Sequence, residues 1–402
     1  MTLKSVFADL HIHIGRTEGG LPVKITGARN LTFDNIVQEA AHRKGIRMIG
    51  IIDAHSPPVQ EEIARNLDEG RYETLSGGGI RYRDTTAILG VEIEVKGAGR
   101  GVAHLLAYFP DLDVMRTFSG WMSRHVKNMQ LSTQRFHGDL RELEGKVADL
   151  GGLLVPAHVF TPFKSVYGSA VDRMSDLLDP DQLAGVELGL SSDSTMADRI
   201  SELEGFTFLT NSDAHSLPKI GREYNELLIS EPCFHELKRA LHRQEGRRVL
   251  ANYGLDPKLG KYHRTRCLNC EELLSPTESG RCEYCGSTKM VRGVADRIDQ
   301  LADRPTHHPD HRAPYIYQVP LEFIPKLGPK TLQKLLSRFG TEMEILHRAS
   351  LADIAELAGA SVATHIRLAR ERRLEFEEGG GGSYGRIRSV GKDQGVSGDS
   401  SV

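Results

Sequence analysis

His11 and His13, Asp53 and His55, and Asp213 and His215 form three pairs with a single residue between the members, and each pair ends a short apolar, β-prone run. Side chains alternate across a strand, so an H-x-H or D-x-H ending delivers both groups to one face. Neutral imidazoles and carboxylates converging in this way hold zinc or manganese. One such pair is weak, because a histidine at a strand end often only satisfies a neighbouring carbonyl. Three pairs, joined by Glu92, His104 and His158 in three further runs, predict one polynuclear site. Glu187, in yet another run, reads either as a ligand or as a strand acid with a structural partner. Paired cations lower the pKa of a water and neutralise charge on a scissile phosphate, so the chemistry expected is phosphoester hydrolysis without a serine nucleophile.

The segments DLHIH, IIDAH, GVEIEV, HLLAY, PAHVF and NSDAH together resemble the PHP (polymerase and histidinol phosphatase) superfamily of metal-dependent phosphoesterases. That resemblance implies a distorted (β/α)7 barrel with a trinuclear site. Carried over motif by motif, it gives one ion to His11, His13, Glu92 and Asp213, and a second to Glu92 as bridge with His104 and His158. The third ion would fall to His55 and His215 with Asp53; where many relatives add a ligand after the first H-x-H, this chain has Gly15 and Arg16. Glu92, His158, Asp213 and Lys164 are the expected catalytic residues, with Zn²⁺ in the barrel and Mg²⁺ or Mn²⁺ as catalytic alternatives.

Cys267-x2-Cys270 and Cys282-x2-Cys285, eleven residues apart, have the spacing of a structural four-thiolate Zn²⁺ site, with Gly286 at the second knuckle turn. Lys258, Lys261, Arg264, Arg266, Arg281, Lys289 and Arg292 surround it, which suits backbone contact with a polyanion; a solvated basic face would look the same. Further on, Ile324-Pro-Lys-Leu-Gly-Pro-Lys-Thr leading into LQKLLSRF resembles a helix-hairpin-helix. Gly328 permits the turn, Pro329 suits the first helical position, and Lys330 with Thr331 reaches the phosphate that the helix N-terminus attracts. Gly359 and Ala360 lie in a degenerate second copy, and an ordinary αα-hairpin would carry the same residues.

A PHP barrel followed by four clustered cysteines and helical hairpins resembles the endonuclease Q family of bacteria and archaea over roughly residues 1–375. The resemblance implies a DNA-repair endonuclease acting on lesion-bearing duplex, cutting on the 5′ side of deaminated bases (uracil, hypoxanthine, xanthine) or abasic sites. A 3′–5′ exonuclease or end-processing phosphoesterase of PHP type is the alternative. A recessed barrel mouth admits a base only after it leaves the duplex, and a damaged base leaves most easily. In the loop 160–169, Tyr167 beside Gly168 is placed to stack on that base, or Lys164 to bind a phosphate; a packed lid tyrosine and a solvated lysine would read alike. Trp121, the single tryptophan, reads as a buried anchor before a duplex wedge.

Seven apolar β-prone runs, at 5–10, 46–52, 86–91, 102–108, 152–157, 184–190 and 206–211, alternate with helix-like stretches and predict βα units around a parallel sheet or barrel. The expected organisation is a barrel at 1–250, a zinc module with basic flanks at 251–300, a polar linker at 301–320, a helical DNA-binding unit at 321–376 and a disordered tail at 377–402. Residues 1–257 carry 29 Lys and Arg against 35 acids and residues 258–402 carry 22 against 19, an acidic front for cations and a basic back for DNA. No stretch of about 18 uncharged apolar residues and no signal-type opening occurs, so a cytoplasmic, nucleoid-associated protein without membrane contact is expected. A sliding-clamp partner is left open.

Overall fold

The computed structural model describes residues 2–97, 101–260, 262–274, 280–371, 373–374, 376–377 and 386–387. Lys261 and most of the tail expected from 377 onward lie outside the described residues.

The barrel wall is built from β1 (Lys4–Ile12), β2 (Met48–Ile51), β5 (Thr85–Lys96), β6 (Val102–Phe109), β7 (Leu153–Pro156), β8 (Val186–Glu187) and β9 (Phe208–Leu209), with a hairpin of β3 (Glu73–Thr74) and β4 (Ile80–Tyr82) appended to β5. β1, β2 and β5 run parallel, and β8 is parallel to β9. The β5–β6–β7 run is antiparallel, which differs from the parallel order that the alternating runs suggest. Only residues 97–101 separate β5 from β6, and a parallel crossover needs a dozen residues or more. β1 is buried from Val6 onward and splays: Lys4–Ala8 pairs with β10 (Tyr224–Ile229), while Ile12 bridges to Ala214 beyond β9. That splay, together with the Ala184 N–H donating to the Leu154 carbonyl at 2.8 Å, closes a distorted seven-stranded barrel. Val6, Ala8 and Leu10 pack inside the barrel in an apolar cluster with Ile88, Leu106, Tyr108 and the helix residues Leu237 and Ala240; a register shift between Asp9 and Ile12 turns His11 and His13 to the same interior, while Ile12 and Ile14 join the core beneath the covering helices.

Asp9 pins the splayed strand. Its carboxylate accepts from the backbone N–H of Ser212 at 3.0 Å and of Gly221 at 2.8 Å, and burial outweighs those bonds to push its pKa up to about 6.

Helices cover the wall: α1 (Phe33–Gln38), α2 (Pro57–Asp68), α3 (Leu112–Met122), α4 (Leu140–Asp149), α5 (Ser194–Ala197) and α6 (Phe234–Leu241). Thr32, Asp111 and Asp139 cap three of them through side-chain oxygens. Trp121 lies in α3 among the rings of Phe118, Phe136 and His125, a partly buried packing position. Among the described residues no helix is long and apolar enough to cross a membrane.

The chain then leaves through β11 (Arg248–Gly254), passes the small β12 (Arg266–Cys267) and β13 (Met290–Val291) pair, and returns by α7 (Val294–Leu301) to β14 (Tyr315–Tyr317), which pairs parallel with β11. So the stretch 301–320, polar enough to read as a linker, lies against the barrel. Arg312 donates to the buried Asp198 at 2.8–2.9 Å and lies 3.4 Å from the centre of the Phe208 ring. Composition marks such a segment as solvated because it cannot display the acid that neutralises the arginine.

Glu223 at the foot of β10 is fully buried, one oxygen accepting from the Leu255 N–H at 2.8 Å and the other unpartnered among the described residues. Burial pushes its pKa from the ordinary 4.5 up to about 8. Between those values the folded chain keeps a proton that the unfolded chain releases, so stability falls as pH rises through this window. Glu223→Gln is expected to remove roughly a few kcal/mol of that pH-dependent loss, read as a flatter denaturation midpoint between about pH 5 and pH 8.5.

The C-terminal helices are α8 (Pro329–Phe339), α9 (Glu342–His347), α10 (Leu351–Ala358) and α11 (Ala360–Arg370). They share one apolar core with the barrel. Lys44 reaches the first residue of α9 through a buried ion pair with Glu342 at 2.9 Å. His347 stacks on Phe7 at 4.5 Å, and its Nε2 lies 2.7 Å from the Tyr224 hydroxyl.

Candidate metal centre

The structure gathers predicted residues from five strands and the loops directly after them into three triads whose donor atoms lie within 4.8 Å of one another: His11, His13 and Glu92; Glu92, His104 and His158; His13, Asp213 and His215. Nε2 of His11 lies 3.6 Å from Glu92 and 3.5 Å from Asp213, and Nε2 of His13 lies 3.6 Å and 3.5 Å from the same two carboxylates. These separations are too long for hydrogen bonds and match the edge, about 3.4 Å, of a tetrahedron with ~2.1 Å metal bonds. The Nε2 atoms of His11, His13 and His104 are buried with no hydrogen-bond partner among the described residues. Such orphaned nitrogens aimed at shared acids are what a cation would satisfy, so the donor set fits divalent ions.

Each imidazole of the H-x-H pair is held from behind. His11 Nδ1 lies 3.0 Å from Glu187, and His13 Nδ1 lies 3.0 Å from Asp53, whose same oxygen accepts from the Ile14 N–H at 2.8 Å. Glu187 also accepts from the His158 backbone N–H at 3.0 Å, locking two triads to one carboxylate. Asp53 and Glu187 thus stand behind the two imidazoles in the position of acids that orient ligands, and neither belongs to a triad; Asp53, expected at the third ion, keeps its Oδ1 buried without a hydrogen-bond partner among the described residues. His55 is likewise not gathered: its Nε2 faces the Leu131 carbonyl at 3.2 Å, and none of the three triads includes it. His215 joins His13 and Asp213 instead. Loss of either orienting acid, in Asp53→Asn or Glu187→Gln, is expected to weaken metal retention about 10- to 100-fold, measured by competition with a chromogenic chelator.

Electrostatics agree with a cation sink. Burial raises the pKa of Glu92 and Asp213, but His104 and Lys24 beside Glu92, and His11, His13 and His215 around Asp213, hold both carboxyls well below the ordinary range. Burial opposes charge on His11, yet Glu187, Asp213 and Glu92 pull its pKa up to about 10. Backbone strain concentrates here too. Thr133, His158, Lys164 and Asp213 adopt left-handed backbone with φ of 53°, 32°, 57° and 46°.

β5 runs on to Lys96, so Glu92 lies inside a strand rather than at its end, and Glu94 shares its face two residues on. Glu94 accepts from Arg135 at 2.6 Å and lies 3.3 Å from Lys164, which sits half exposed at the mouth of an open cleft of about 320 Å³. Lys24 enters the same cleft from the loop after β1, donating to Glu92 Oε2 at 3.2 Å and to Thr133 Oγ1 at 2.6 Å. The sequence reading missed Lys24, Glu94, Thr133 and Arg135. The period-two spacing of Glu92 and Glu94 was the available signal for one of them; a lysine in a loop offers none.

Tyr167 does not face the cleft. It is buried, stacked on Phe160 at 5.2 Å, with its hydroxyl donating to Glu202 at 2.7 Å, which corrects its assignment as a base-stacking residue. Gly168 is packed so closely that a Cβ there would lie 1.9 Å from the Thr161 carbonyl oxygen, and its N–H donates to Ser165 Oγ at 3.0 Å. The exposed aromatic of this loop is Phe163, at the cleft rim against Tyr262.

The four clustered cysteines converge within 4.8 Å, with the Cys267 and Cys285 sulfurs 3.6 Å apart and those of Cys270 and Cys282 3.5 Å apart. The Asn269 N–H points at the Cys267 sulfur at 3.4 Å, and N–H groups of this knuckle draw the thiol down to about 6, in the thiolate direction that metal binding needs. Gly286 takes φ of 70° and donates to the Cys282 carbonyl. Of the flanking cations, Arg264 pairs with Asp296 at 3.0 Å, and Lys258, Lys289 and Arg292 are exposed.

Gly328 caps α8 with open space around it, and Gly328 and Lys330 are exposed, with Thr331 half-buried beside them. Its preceding arm is a single turn at Leu321–Phe323 rather than a full helix. The α10–α11 pair turns at Gly359 with φ of 91°.

A family model described as PHP-associated matches residues 192–245. The protein YqxK of Bacillus subtilis is 49% identical over 391 residues, spanning 96% of this chain and 100% of that protein. The lesion-specific endonuclease PfuEndoQ of Pyrococcus furiosus superposes with a TM-score of 0.82 at 30% identity, covering 96% of this chain and 95% of that one. A structure of endonuclease Q with a 27-mer duplex carrying an abasic lesion at its active site gives 0.83 at 30% identity, covering 96% and 97%.

Proposed function

The chain belongs to the endonuclease Q family of PHP metal-dependent phosphoesterases, and we propose on that premise that it nicks duplex DNA on the 5′ side of deaminated bases or abasic sites. As a member of that family it is a metal-dependent DNA endonuclease, a hydrolase of phosphodiester bonds. The observation that carries the reading is Glu92, a buried carboxylate shared by two triads in an open cleft, which would set two cations at the spacing that phosphoester hydrolysis uses. His11, His13 and Asp213 would hold one ion and His104 with His158 the other; when bound, the ions supply Lewis acidity toward the phosphate and acidify a water.

The chain's own residues do the rest. Glu187 and Asp53 keep the imidazole Nε2 atoms turned inward. Lys164, braced by Glu94, meets the incoming phosphate at the cleft mouth. Gly328, Lys330 and Thr331 at the start of α8 take a second backbone phosphate without reading sequence. A base must leave the stack to bring its 5′ phosphate to so recessed a centre, and this favours bases already poorly paired.

The test is cleavage of end-labelled duplexes carrying uracil, hypoxanthine, xanthine or an abasic site, with Mg²⁺ or Mn²⁺ and an intact control. One product ending at the bond 5′ to the lesion is expected. A ladder shortening from the 3′ end would support the exonuclease reading instead.

A further inference from the structure

The third triad is poor in ligands of its own. It shares His13 with the first, whose His11 Nε2 also lies 3.5 Å from Asp213, and His13 has one nitrogen to offer because the other is committed to Asp53. His215 alone is unshared. The neighbours that could complete it are not gathered with it: His55 Nε2 faces the Leu131 carbonyl, Asp53 Oδ2 is taken by His13 and the Ile14 N–H, and no triad includes either residue, although Asp53 Oδ1 and His55 Nδ1 have no hydrogen-bond partner among the described residues. No side chain can enter at Gly15, where a Cβ would lie 2.1 Å from the Ala28 carbonyl oxygen, and Arg16 is directed to the Gly20 carbonyl.

A positive charge is nevertheless present. Lys24 lines the same cleft as His13, Asp213 and His215, largely buried, with its ammonium 3.2 Å from Glu92 Oε2 and 2.6 Å from Thr133 Oγ1. It is not a loosely placed surface lysine. Its backbone N–H donates to the Ile14 carbonyl at 2.9 Å, and the preceding Val23 N–H to Gly15 at 3.0 Å, which staples the loop to the end of β1 beside the H-x-H pair. Thr133, in left-handed backbone, donates to Glu92 itself and so fixes the other wall of the lysine's socket.

We propose that Lys24 is a built-in cation standing in for a third metal ion, so that the barrel works with two ions and one ammonium aimed at the scissile phosphate. The inference deepens the phosphodiesterase reading and rests on it. Its chemistry is charge neutralisation: the ammonium, unlike an ion, needs no ligands beyond a carboxylate and a hydroxyl, and both are there. It also explains why three triads coexist with ligands sufficient for two.

The test counts Mn²⁺ bound to the full-length protein, by elemental analysis after equilibrium dialysis without DNA, in wild type, Lys24→Met, Lys24→Arg and Lys24→Glu. The cysteine module is common to all four, so differences report the barrel. Lys24→Met is expected to hold as much Mn²⁺ as wild type while nicking roughly 10²-fold more slowly, and Lys24→Arg to recover part of that loss. Lys24→Glu, which exchanges the ammonium for a carboxylate, is expected to take up about one more equivalent than wild type. Equal counts in wild type and Lys24→Glu would overturn the proposal, as would loss of an ion in Lys24→Met. Because the count is made without substrate, it stands even if the wild-type protein nicks none of the lesion duplexes, so the two readings fail separately.

Discussion

Glu92→Gln is expected to slow single-turnover nicking by about 10³-fold or more and to lower the Mn²⁺ content of the barrel at the same time. The amide keeps the shape of the side chain but removes the charge that His11, His13, His104, His158 and Lys24 all face. Glutamine offers one acceptor oxygen and one donor NH2 where two acceptors are needed, so it cannot serve two triads at once. Several kcal/mol of transition-state stabilisation is what such ions contribute, which sets the rate loss expected. The variant should fold, since Gln fills the same volume and removes a buried negative charge. Nicking within tenfold of wild type would mean that the bridge is dispensable and that the cleft is not the catalytic centre.

Cys267→Ser is expected to unfold the small module while sparing the barrel. The residues 262–274 and 280–291 own only a two-residue strand pair and a minor apolar cluster of Cys267, Leu274 and Cys282, far too little to order the segment unaided. Structural Zn²⁺ sites contribute about 10–16 kcal/mol of apparent binding free energy, so an ion held by the four sulfurs would supply the folding free energy of this segment. Limited proteolysis should cut the variant within this segment, and affinity for intact duplex should fall as the basic flank loses its frame. The Mn²⁺ content of the barrel should stay at the wild-type level. A Cys267→Ser protein as protease-resistant as wild type would show that no metal holds the module together.

The residues that converge in the cleft were legible because strand periodicity and residue type reinforce one another: His11 and His13 must share a face, and Asp213 and His215 end a run. What the sequence cannot express is which acid touches the ion and which stands behind a histidine. Asp53 and Glu187 look like ligands in one dimension and stand behind the imidazoles of His13 and His11 in three. The same gap hid the antiparallel β5–β6–β7 run, visible only once the five-residue connection is weighed against the length of a crossover. Tyr167 misled for a different reason: an aromatic in a loop after a ligand-bearing strand suggests a stacking platform, yet Glu202, thirty-five residues away, satisfies its hydroxyl inside the core. Arg312 and its neighbours read as solvated linker because the neutralising Asp198 lies more than a hundred residues earlier.

The Lys44–Glu342 ion pair and the packing of His347 between Phe7 and Tyr224 have a mechanical meaning for the enzyme on DNA. Helices fused to the barrel through one continuous core cannot swing on a tether, so a phosphate taken at α8 and one cut in the cleft, as proposed, would lie a set span apart. The molecule would then measure its substrate like a caliper: a lesion closer to a duplex end than that span would leave one jaw empty, and the shortfall would appear on one side of the lesion only.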